Sequence, residues 1–201
     1  MQIFISIQKF TYMMNYSNGK VAGVLFIIAS SQFILGLIVA EALYPGYSIS
    51  TNYISDLGIG PSSTVFNVSI FLIGLLSIIG AYFLQRAFHH KEVTISLTIA
   101  ALAAMGVGIF TENSEPMHML VSLLVFLFGG LSAIFSYRLM KNPFNIIVIL
   151  LGLMSLLMLI FFIGNFYLGL GVGGMERMIV YPILIWMIGS GGFLIAFPEK
   201  S

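Results

Sequence analysis

Apolar residues fall in six long blocks along this chain, at 21–40, 65–84, 93–111, 117–137, 144–168 and 178–197. At about 1.5 Å of rise per residue, each block is long enough as an α-helix to cross roughly 30 Å of hydrocarbon. Short polar turns separate most of them, at 85–92, 112–116, 138–143 and 169–177, and one longer polar stretch runs from 41 to 64. Connections this short force successive helices to run antiparallel. The pattern predicts an all-α integral membrane protein, an antiparallel bundle of six transmembrane helices over residues 21–197. Residues 1–20 then form a tail, with a candidate interfacial helix at 3–10. Ala40-Glu41-Ala42 has the form of a signal-peptidase site, but the apolar block before it exceeds the roughly 7–15 residues of a cleaved signal. The first block is therefore read as a retained helix. Gly36, Gly74, Gly80, Gly129, Gly130 and Ser190-Gly191-Gly192 supply small residues for close helix approach. Pro182 is expected to kink the last helix. Tyr181 suits the interfacial belt, and Trp186 lies deeper.

Composition agrees with a bilayer as the solvent. Of 201 residues, 59% are hydrophobic and 7% charged, against roughly 25% charged in soluble domains. A net charge of +1 lacks the basic footprint that nucleic-acid binding requires. The absence of cysteine excludes disulfides and thiolate chemistry. Charge also sets an orientation. With the N-terminus in the cytoplasm, Lys9, Lys20, Arg86, Lys91, Arg138, Lys141 and Lys200 lie inside and only Arg177 lies outside. This positive-inside asymmetry predicts cytoplasmic N- and C-termini in a multi-pass protein of the cell membrane.

The acidic residues do the reverse, and they mark the candidate site. Glu41, Asp56, Glu112, Glu115 and Glu176 converge with His118 and Arg177 on the outer mouth. The 41–64 stretch adds Tyr47, Asn52 and Ser55. A hydrolase reading takes Ser55 or Ser50 as nucleophile, His118 as base and Asp56 or Glu41 as orienter, with Glu112 as a further proton carrier. Its competitor has Asp56 bonding the backbone of its own turn. Glu115-Pro116-Met117-His118 has the i, i+3 spacing of a di-metal carboxylate motif, but such sites need a second copy. No metal or other cofactor is assigned. His89 and His90 are a bilayer away from His118, so a three-histidine zinc site cannot assemble. Arg177 has two readings: a bidentate fork for a phosphate or carboxylate head group, or an internal ion pair with Glu41, Asp56 or Glu112. Glu41, Glu176, Tyr47 and Asn52 are the other candidate ligand-binding residues.

Ala40–Ser48 (AEALYPGYS), 52–58 (N-x-I-S-D-L-G), Phe66-Asn67, 108–112 (GIFTE) with His118, and 173–177 (GGMER) with Trp186 resemble domain-of-unknown-function family 998. The resemblance implies a prokaryotic six-helix multi-pass membrane protein with no assigned reaction. The architecture is also similar to the Frag type of membrane protein, some of whose relatives act in lipid remodelling. The expected function is recognition or modification of a lipid or other amphipathic molecule at the outer mouth. Arg177 would hold an anionic lipid head group, and His118 with Asp56 or Glu112 would move protons. A non-enzymatic accessory membrane protein and a small transporter are the alternatives.

Overall fold

The computed structural model describes residues 17–197. The expected helix at 3–10, Lys9 and Lys200 lie outside that range. Six helices long and apolar enough to span a membrane make up the fold: α1 (Asn18–Leu43), α2 (Ser63–Phe88), α3 (Lys91–Ile109), α4 (Met117–Phe135), α5 (Phe144–Ile163) and α6 (Gly171–Ala196). Ser17 starts α1 by accepting the Lys20 N–H at 3.4 Å, satisfying one of the donors a helix start leaves free. The largest departure from the expected elements is the last connection. α5 stops at Ile163, the chain turns with Asn165 and Leu168 at positive φ, and α6 begins at Gly171 rather than at 178. The glycine-rich segment is thus the first two turns of a helix, and Glu176 and Arg177 sit inside it.

Each helix packs on its sequence neighbours and α6 packs on α1, closing a ring. Closure works because six is even: the last helix meets the first antiparallel, and both limits of the described chain share one end of the bundle. We call that the termini end and the other the loop end. Small residues set the seams. A Cβ on Gly23 or Gly191 would lie 2.5 or 2.6 Å from the other's carbonyl oxygen, so α1 and α6 touch backbone to backbone. Gly152 of α5 approaches Gly130 of α4 in the same way, at 2.6 Å.

Hydroxyls cross-link the apolar interior. Ser132 on α4 donates to Ser96 on α3 at 3.0 Å, and Trp186 Nε1 on α6 donates to Ser136 at 2.8 Å. Pro182 lies inside α6, which continues through it to Ala196. Proline has no N–H to give the carbonyl one turn back, and Ser155 of α5 donates to the adjacent Ile179 carbonyl at 2.9 Å.

The 44–62 segment closes the loop end. It winds through two 3-10 turns, Ser55–Gly58 and Gly60–Ser62, and drives Ile54 and Leu57 into the core. Ser62 Oγ donates to the Leu57 carbonyl at 2.8 Å and Asn67 Nδ2 to the Gly58 carbonyl at 3.1 Å, tying the loop to the start of α2.

Candidate functional site at the loop end

Arg177 holds the loop against two helices. Its Nη2 donates to Glu41 Oε1 at 2.5 Å and to the Tyr47 hydroxyl at 2.8 Å. Its Nη1 donates to the carbonyls of Gly173 at 3.0 Å and Ile49 at 3.3 Å. The guanidinium also lies over the Tyr47 ring, 5.6 Å from its centroid. Burial pushes the Tyr47 phenol up to about 12, so it stays protonated and donates to the Tyr53 carbonyl at 2.9 Å. The loop reaches α6 because glycines let it: a side chain on Gly173 would strike the Ile49 and Asn52 carbonyls. The Gly173 N–H, free at a helix start, donates to the Ser50 carbonyl at 3.1 Å. Of the two sequence readings of Arg177, the geometry is that of an ion pair with Glu41. Both terminal nitrogens are engaged within the protein, while the buried Nε has no partner among the described residues.

A second set of residues surrounds open space. Ser55, Asp56, Glu112, Glu115, His118 and Glu176 line one cavity of about 710 Å³. Arg177, Glu41, Tyr47 and Asn52 do not line it. Asp56 Oδ2 accepts the Tyr53 N–H and Asn52 Nδ2, both at 2.9 Å, and Asn52 Oδ1 accepts the Ser48 N–H at 3.1 Å. Asn52 and Asp56 are therefore occupied in shaping the loop, as their residue types do in turns. Ser55 Oγ donates to Glu112 Oε1 at 2.6 Å. Burial pushes Glu112 up to about 7; the Ser55 hydrogen bond opposes the rise and Asp56 adds to it. Glu176 is buried, and its Oε2 accepts the Ile54 N–H at 2.5 Å.

His118, on the first turn of α4, bonds the Phe110 carbonyl through Nδ1 at 2.8 Å. A carbonyl only accepts, so Nδ1 carries the proton. In the neutral ring Nε2 is then the free base, with Ser122 Oγ 3.4 Å away. Among the described residues no hydrogen bond joins Ser55 to His118. The serine pairs with Glu112 instead, and the expected serine–histidine relay is not assembled. Nor do any three His, Asp or Glu side chains among the described residues cluster as a metal site would require.

Apolar side chains share the lining: Met119, Leu123 and Phe126 of α4, and Leu159, Phe162 and Ile163 of α5. These apolar residues and Ser122 were not among the sequence candidates. The signal was the spacing on α4, where 118, 119, 122, 123 and 126 recur on one helical face. Ser55, Ser122, Phe126 and Glu176 also border a second, smaller cavity of about 90 Å³ inside the ring.

A closed ring of six membrane-spanning helices, with a cavity of mixed acidic and apolar lining at one end, defines a multi-pass helical membrane protein. The chain belongs to the family described as "Protein of unknown function (DUF998)", whose sequence model matches residues 27–191. No curated protein and no solved structure matches it.

Proposed function

We propose that the protein recognises or modifies a lipid or other amphipathic molecule, taken into the loop-end cavity from the adjoining membrane leaflet. One observation carries the reading: four carboxylates, a histidine and two serines share one cavity lining with six apolar side chains of α4 and α5. An amphipathic molecule is the class that satisfies both kinds of lining at once. Entry runs between α4 and α5, where Met119 and Ile163 are mostly exposed. If the molecule is modified, Glu112 is the proton carrier, since a carboxyl near 7 takes up and releases protons at neutral pH. His118 Nε2 is the second base. We place the loop end outside the cell membrane of a prokaryote, with both termini in the cytoplasm.

Native mass spectrometry of the protein extracted in a mild detergent tests this reading. The wild type is expected to keep an amphipathic molecule that Ser122→Trp, which fills the cavity, loses. Equal retention by both, or no bound mass with either, would favour the accessory-protein reading. The Arg177–Glu41–Tyr47 strut gives that reading its own support, because it fixes the loop rigidly without needing a ligand.

A further inference from the structure

Resting on the amphiphile reading, we propose that the two cavities take one molecule with a protonated amine head and an alkyl tail. The amine meets Glu176 and Glu112, the tail lies along the apolar α4 and α5 side chains of the outer cavity, and its end enters the ring interior. Three observations converge. First, no lysine or arginine among the described residues lines either cavity, while Asp56, Glu112, Glu115 and Glu176 line the outer one. The only arginine near this end is sealed against Glu41. An anionic head would face uncompensated carboxylates, and an ammonium would make charge-assisted hydrogen bonds with them.

Second, Glu176 is more than nine-tenths buried and only half used. Its Oε2 takes the Ile54 N–H, and no donor reaches Oε1 among the described residues. A carboxylate in so buried a residue, with one oxygen that no donor reaches, gains from a partner that supplies hydrogen bonds. Glu176 borders both cavities, so the vacant oxygen stands where a head group would meet its own tail.

Third, the inner cavity beyond Glu176 is lined almost wholly by hydrocarbon from α2, α3, α4 and α6, including Ala104 and Trp186. Ser55, Ser122 and Phe126 border both cavities, and the inner one, at about 90 Å³, takes the end of a tail whose remainder stays in the outer one. Trp186 is the single tryptophan of the chain, so its emission reports what enters.

The experiment titrates the full-length protein in an uncharged detergent with ω-bromodecylamine, ω-bromodecanol and ω-bromodecyl sulfate, the bromine serving to quench Trp186. Saturable quenching by the amine is expected, with the alcohol and sulfate weaker by about tenfold or more, the size of losing one hydrogen bond to a charged group. Glu176→Gln keeps an acceptor for the Ile54 N–H and should weaken the amine by a similar factor. Ala104→Leu, which narrows the inner cavity, should abolish quenching while leaving the fold intact by circular dichroism. Quenching by the sulfate equal to or stronger than by the amine overturns the inference, as does amine quenching insensitive to both variants. In either case, loss of bound mass in Ser122→Trp would leave the broader amphiphile reading standing. Extraction from mixed phosphatidylethanolamine and phosphatidylglycerol vesicles then locates the amine's source. Selective retention of phosphatidylethanolamine marks a membrane lipid, retention of neither marks a free amphiphile, and selective retention of phosphatidylglycerol overturns the inference.

Discussion

Glu112 and Arg177 sit at the same end of the bundle, and their surroundings give them opposite tasks. Arg177 spends its terminal nitrogens inside the protein, on Glu41, Tyr47 and two carbonyls. Glu112 faces the cavity with one hydroxyl partner, and burial raises it to about 7. Its effect on stability has a definite sign. A carboxyl raised in the folded state binds its proton more tightly folded than unfolded, so the stability it contributes is present below the unfolded value of 4.5 and fades as pH rises through about 7. Glu112→Gln cannot ionise, yet its amide carbonyl still accepts from Ser55. The variant should match the wild type near pH 5 and exceed it near pH 8 by on the order of 1 kcal/mol, a value discounted for a half-exposed group. Unfolding midpoints across that range check this. Asp56, Glu115, Glu176 and His118 line the same cavity, so the difference between the two curves reports Glu112 together with its coupling to them. A difference that stays flat with pH, or grows towards acid, would refute the assignment.

At the scale of elements, the glycines separate into those that join helices and those that merely occupy them. Gly191 and Gly192 are adjacent in α6, but a Cβ on Gly191 meets the Gly23 carbonyl at 2.6 Å, whereas one on Gly192 meets nothing within 4 Å. Gly191→Ala should therefore push α1 from α6 and cost about 1–3 kcal/mol. Gly192→Ala should be neutral or stabilising by up to about 1 kcal/mol. Equal effects in a thermal or denaturant series would mean that the α1–α6 seam does not depend on backbone contact. The apolar blocks made all six helices legible, because no other structure satisfies the backbone in lipid. The start of α6 was not legible. Gly169, Gly171, Gly173 and Gly174 read locally as a turn, and only the loop carbonyls lying on Gly171 and Gly173 explain glycines within a helix. The cavity was half legible. Its polar residues stand out in an apolar chain, and an Arg177–Glu41 ion pair is among the readings they allow, but the pairing of Ser55 with Glu112 links residues 57 positions apart. No spacing rule reaches that far.

For the whole molecule, ring closure and charge make separate statements about orientation. Closure puts both limits of the described chain at one end. Our proposal that this end faces the cytoplasm rests on Lys20, Arg86, Lys91, Arg138 and Lys141, which gather there, while Arg177 is the one Lys or Arg at the loop end among the described residues. Arg177 is neutralised by Glu41 at 2.5 Å, so the loop end offers little free positive charge to hold it on the cytoplasmic side. The cavity would then open to the outer leaflet, which decides which lipids can reach it. The chain lacks cysteine, so single introduced thiols report without background. Thr51→Cys lies on the exposed loop and Lys91→Cys at the exposed start of α3, at opposite ends of the bundle. In intact cells a membrane-impermeant maleimide should label position 51 at once and position 91 only after permeabilisation. The reverse pattern would invert the protein and turn its cavity to the inner leaflet. Labelling of both positions in intact cells would mean that the population inserts in two orientations, so that the basic residues gathered at the termini end do not choose one.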